Sequence, residues 1–184
     1  RCSAGARRGC SIWAAAREIW PESREQRCWN HKMRNVLDRL PKREQKEARD
    51  LLRAIVYAPS RQAALKARSH FEKRYRPWYP KAVDVLEDDW DRLATFYDFP
   101  EEHWRHLRTT NVVESPFASV RLRTSAAKRF KRVDSATTLI WKLLTVAEKR
   151  FRKLNAPHLL RQVAEGKIFK DGKPVPTAHG RVAA

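Results

Sequence analysis

Residues 79–124 read YPKAVDVLEDDWDRLATFYDFPEEHWRHLRTTNVVESPFASVRLRT, and their spacing sets the fold class. Val83, Leu86, Trp90, Leu93 and Phe96 recur every three or four residues, which predicts one amphipathic helix over 81–99, stopped by Pro100. The same period continues on the amino side. Met33, Val36, Leu37 and Leu40 predict a helix over 31–40 ending at Pro41, and Ala48, Leu51, Leu52, Ile55 and Val56 predict another over 42–57. Ser60, after Pro59, is the cap of a helix over 60–75. Still earlier, Ile12, Trp13, Ala16, Ile19 and Trp20 mark one face of a short helix that Pro21 ends. On the carboxyl side, Leu139, Ile140, Leu143, Val146, Ala147 and Phe151 form a stripe on a helix running from Asp134 or Ser135 to Leu154. A short helix over HLLRQVAEG (158–166) follows. The strand candidate is 22–30. The chain therefore reads as mainly α with one or two short strands, and its tail, 171–184, as disordered for want of anything to bury.

Composition narrows the function. The chain has 184 residues, 42% of them hydrophobic, enough for a core and too few for a large multidomain enzyme. Forty Lys and Arg against 21 Asp and Glu leave a net charge of +19, which attracts polyanions, nucleic acid first among them. No run reaches the roughly 20 apolar residues of a membrane span, and residues 1–13 lack the apolar stretch of a secretory signal. Cys2, Cys10 and Cys28 form neither an even disulfide set nor paired metal knuckles, so free thiols in the cytoplasm are expected.

Three constellations could carry chemistry. Cys28 and His31 form a C-x-x-H pair, but zinc needs four ligands; a small buried cysteine and a histidine at a helix start is the simpler reading. His103 and His106, beside Trp104, read as a partly exposed helix surface. Glu114 stands alone among Arg108, Arg121 and Arg123; Asn111 to Glu114 has capping-box spacing, and a divalent-metal ligand is the functional alternative. Finally, Arg121, Arg123, Lys128, Arg129, Lys131 and Arg132 follow Glu114 closely, the last four in an exposed loop, KRFKR (128–132). Phosphates held there would lie near the carboxylate. Trp29, Trp78, Trp90, Trp104 and Trp141 are expected mostly in the core.

The segments REQRCWNHKMRNVLDRLPK (24–42), 79–124 and AEKRFRKLN (147–155) resemble the C-terminal half of insertion-sequence transposases of the Mutator type. The resemblance implies a ribonuclease-H-like α/β core of the DDE class, in which two Asp and one Glu bind two Mg2+ ions and a helical insertion precedes the Glu. By the TTNVVES motif (109–115), Glu114 would be the catalytic and metal-binding Glu, with Cys28 and His31 the signature near the site. Arg108, Arg121, Arg123, Lys128, Arg129, Lys131 and Arg132 would hold DNA at transposon ends and target. Residues 1–31 would be a core remnant, 32–107 the insertion and 108–170 the core helices carrying the Glu.

Where the family places its Asp before the IW pair, this sequence reads AGARRGC (4–10), with Arg7 near the expected Asp, and no Asp precedes Asp38. The expectation is a transposase remnant with one carboxylate of three, inactive alone. The alternative is a non-catalytic protein that binds DNA, a second copy or a full-length transposase. No membrane partner is expected.

Overall fold

Apolar side chains one helical turn apart bury together only if several helices share a core, and residues 29–104 supply them. In this computed structural model, residues 14, 16–151 and 153–176 are described. Helix α1 is Trp29–Leu37, α2 Gln45–Val56, α3 Arg61–Tyr75, α4 Pro80–Glu87 and α5 Trp90–Ala94. Two 3-10 turns, Thr95–Asp98 and Glu101–His103, lead into α6, Trp104–Leu107. These pack as a bundle, α2 against α3 and α1 against α4, around Trp29, Val36, Leu52, Ile55, Phe71, Leu86, Leu93 and Phe96. Ser60 caps α3 by accepting the Ala63 N–H at 3.1 Å.

Beyond the bundle, α7 (Asn111–Ala126) and α8 (Val133–Glu148) pack on each other as a hairpin, and α9 is Leu159–Ala164. The fold is mainly α, with two strands of two residues each, β1 (Phe169–Lys170) and β2 (Lys173–Pro174), paired antiparallel. No helix of the described residues is long and apolar enough to cross a membrane.

Several expectations are corrected. Residues 23–28 form no strand: the segment lies against α5 instead, with Arg27 N–H donating to Arg92 O at 3.0 Å and Thr95 Oγ1 to Glu25 O at 2.8 Å. The single helix over 81–99 is three pieces. It breaks at Asp88 and Asp89 because the Asp89 carboxylate turns inward to the buried Lys32 ammonium, 2.6 Å away. α8 ends six residues early, at Glu148, and none of its residues is fully buried.

The strands sit in the tail, where residues 171–176 are folded rather than disordered. Asp171 and Gly172 both have positive φ, 48° and 81°, the two-residue turn that Asp-Gly favours. That turn seats on the bundle: Gly172 N–H donates to Tyr97 O at 3.2 Å and Arg61 N–H to Asp171 Oδ1 at 2.7 Å. A Cβ on Gly172 would lie 2.7 Å from Glu101 Cβ, so only glycine fits. Trp29 and Trp104 are core, but Trp78 and Trp141 are 75% and 64% exposed. At the amino side residues 16–19 are helical, with Ile19 and Trp20 exposed. Ile12 and Trp13, like Cys2, Arg7 and Cys10, lie outside the described residues.

Candidate functional site

The N-termini of α1 and α7 meet, and this junction gathers three of the residues singled out by sequence. Trp29 N–H donates to Arg108 O at 2.9 Å, and Asn30 Nδ2 to Asn111 Oδ1 at 3.1 Å, which holds the two helix starts together. Cys28 is the N-cap of α1, and its sulfur lies 3.4 Å from both the amide nitrogen and the hydroxyl of Thr110. The Thr110 hydroxyl also reaches Glu114 Oε1, so it bridges sulfur and carboxylate. His31 Nε2 is 3.8 Å from the same oxygen and forms an ion pair when protonated. Glu114 sits in the first turn of α7, where the helix dipole favours a carboxylate.

The capping box expected from Asn111 to Glu114 is absent. Thr110 is the N-cap, Asn111 is already helical, and its side chain serves the link to Asn30. Pro116 lies inside α7 and not in the first turn, so it removes one backbone hydrogen bond from the helix interior. His103 is buried, not on a helix surface; its Nε2 is 3.2 Å from Ala156 O, while His106 Nε2 accepts the Asn155 N–H at 3.2 Å.

Burial pushes the Cys28 thiol up, but hydrogen bonds from the Thr110 hydroxyl and from the His31 and Thr110 amides outweigh it and lower the pKa to about 7. Stability linked to this thiolate is complete above the ordinary value of 9.0 and is lost as pH falls through about 7. Thr110→Val is expected to raise the midpoint toward 9.0, read from thiolate absorbance with Cys2 and Cys10 replaced by serine. An unmoved midpoint would assign the shift to the His31 and Thr110 amides and the His31 side chain.

The basic residues are divided by the fold. Arg121 stands two turns from Glu114 on the same side of α7, while Arg123 points about 180° away by helical geometry. The loop carrying Lys128, Arg129, Lys131 and Arg132 begins about 18 Å along the axis from Glu114. Phosphates on that loop are therefore not beside the carboxylate, contrary to the sequence reading. Arg108 is half-buried, its guanidinium over the rings of Tyr57, Phe96 and Trp104 at 5.3, 4.7 and 5.2 Å, and burial lowers its pKa.

Sequence reasoning missed a cleft of about 730 Å3 that opens beside Glu114 between α1, α2 and α6. Arg34, Arg49, Arg53 and Arg105 line it together with Arg108 and Tyr57. The only local signal was Arg49 and Arg53, four apart on one side of α2; the others come from separate elements.

The family model of Mutator-family transposases matches residues 10–153. The chain is 48% identical over 163 residues to the transposase for insertion sequence element IST2 of Acidithiobacillus ferrooxidans, covering 89% of this chain and 55% of that one. It is 44% identical over 162 residues to the transposase for IS6120 of Mycolicibacterium smegmatis, 88% of this chain and 50% of that one. A transposase for ISRM5 of Rhizobium meliloti is 28% identical over 145 residues. The chain thus spans about half the length of the first two relatives.

Proposed function

Because the chain belongs to the Mutator family of transposases, we propose that it serves transposition of an insertion sequence, with Glu114 the carboxylate it brings to DNA strand cleavage and joining. The observation that carries this reading is the convergence of Glu114, Cys28, His31 and Thr110 at the mouth of an arginine-lined cleft. In this reading residues 32–107 are the helical insertion and 108–170 the helices that present the carboxylate, and the substrate is cytoplasmic DNA.

The family reading calls for divalent ions, Mg2+ by preference. The described residues do not by themselves fit one. Among them no three His, Cys, Asp or Glu side chains are placed to hold one ion, and Glu114 is joined by imidazole, thiol and hydroxyl, whereas Mg2+ takes oxygen ligands, commonly carboxylate and phosphate. No catalytic step is therefore derived through a metal. What the chain's own groups do is positional. Thr110 holds one oxygen of Glu114, a protonated His31 balances its charge, and Arg121 meets a DNA phosphate on the same side of α7.

A second reading, DNA binding without chemistry, is favoured by the company Glu114 keeps at the junction, which among the described residues is imidazole, thiol and hydroxyl. Nicking of supercoiled DNA in Mn2+ separates the two. The assay compares this chain with the same chain joined to the part of the Acidithiobacillus ferrooxidans relative outside the matched stretch. The proposal expects no nicking by this chain, nicking by the joined one, and its loss on Glu114→Gln. Nicking that survives Glu114→Gln overturns the assignment, and a joined chain that binds without nicking supports the second reading.

A further inference from the structure

We infer that the cleft between α1, α2 and α6 is a binding site for an unpaired DNA strand, with a base stacked on Tyr57 and flanking phosphates held by Arg49, Arg53 and Arg105. The inference takes from the preceding reading only that the ligand is DNA, and it does not require Glu114 to bind metal.

The first support is the gathering of unbalanced charge in one cavity. Outside the cleft, several arginines of the bundle are bridged, Arg61 to Asp98 at 2.9 Å, Arg74 to Glu47 at 3.1 Å, Arg76 to Glu87 at 2.6 Å and Arg92 to Glu25 at 3.0 Å, while those without an ion pair among the described residues, such as Arg39, Arg68 and Arg121, do not share one cavity. Inside it, Arg34, Arg49, Arg105 and Arg108 have no carboxylate within ion-pair distance among the described residues, and Arg53 has only Asp50 of its own helix at 3.9 Å. Against these five cations the lining holds two carboxylates, Asp38 and Glu114. Guanidinium groups gathered without counter-ions repel one another, and a phosphate accepts their paired N–H groups in a bidentate fashion.

The second support is aromatic. Tyr57, the C-cap of α2, is 69% exposed at the cleft rim. The Arg108 guanidinium lies over its ring at 5.3 Å and is itself backed by Phe96 and Trp104, so the ring is held by a firm support while most of it faces solvent. Such a platform takes a base by its face. A duplex presents base edges in its grooves and cannot offer a face to Tyr57. The cleft's volume, about 730 Å3, suits a few nucleotide units rather than a duplex.

The test is fluorescence anisotropy of a short labelled single strand and of the matching duplex, in EDTA so that no metal site contributes. Tyr57→Ala is expected to weaken single-strand binding by about 5- to 100-fold and to leave duplex binding unchanged, with Tyr57→Phe restoring the affinity. Arg49→Ala with Arg53→Ala is expected to weaken single-strand binding and to reduce its salt slope by about 1.4. Lys66→Ala with Lys73→Ala, on the outer side of α3, serves as the comparison and is expected to change the single-strand preference little. Loss in the arginine variant without loss in Tyr57→Ala means that the cleft holds phosphate alone and overturns the inference. Equal loss for strand and duplex in Tyr57→Ala overturns it as well, as does an unchanged salt slope.

Discussion

Trp104→Ala is expected to lower the unfolding free energy by about 4 kcal/mol, the range for emptying a large buried aromatic site. Trp104 is 3% exposed, and its ring meets Phe96 and Tyr97 edge-on at 5.3 and 5.0 Å. Its indole N–H donates to Phe99 O at 2.9 Å, a bond lost along with the packing. The β1–β2 turn lies against the same ring, whose Cζ2 is 3.0 Å from the place a Cβ on Gly172 would take. The substitution therefore loosens the hairpin as well as the core, and it removes one wall from Arg108. Urea unfolding measures the first effect, and trypsin cutting after Lys170 the second. A loss below about 1 kcal/mol would show that the core closes around the gap.

Asp89→Asn is expected to cost about 3 kcal/mol, because breaking a buried ion pair leaves an uncompensated charge. Lys32 is 2% exposed, and its ammonium has two partners, the Val85 carbonyl and Asp89 Oδ2 at 2.6 Å. Asparagine keeps the shape of the side chain and removes its charge. The loss is expected to persist at high salt, since buried pairs are screened little. By contrast Asp50→Asn, whose contact to Arg53 is 3.9 Å long on the surface, is expected to change stability by less than about 0.5 kcal/mol. Equal effects of the two substitutions would show that Asp89 acts as an ordinary surface carboxylate.

The site was legible in unequal measure. The residues near Glu114 could be named because a C-x-x-H pair and a lone carboxylate stand out as residue types. The structure brings Cys28, His31 and Glu114 to one junction through a Trp29–Arg108 backbone bond that spans 79 positions, which no local pattern encodes. The arginine cleft escaped notice because its members look like ordinary solvated charges until three elements bring them together. The reverse error occurred at Lys128–Arg132, where density in sequence suggested proximity that a rigid helix of 16 residues prevents. The Asp-Gly pair at 171–172 is a strong hairpin signal, obscured by the scarcity of apolar residues around it; Phe169 is 4% exposed, and the turn itself is held to the bundle by Tyr97 and Arg61.

The sequence by itself determined which stretches are helical and set prolines beyond which they do not run. Apolar periodicity, Ser60 and the prolines at 21, 41 and 100 act within a few residues of themselves, so no distant contact is needed to read them. Tertiary structure alone decided which of those helices are interrupted, covered or brought together. Lys32 draws Asp89 inward and breaks a helix; the 155–156 turn, held by His103 and His106, follows the early end of α8. The physical reason is the same throughout. A buried charge or an unsatisfied backbone group costs more than one turn of helix contributes, so long-range pairing overrides local propensity wherever the two compete.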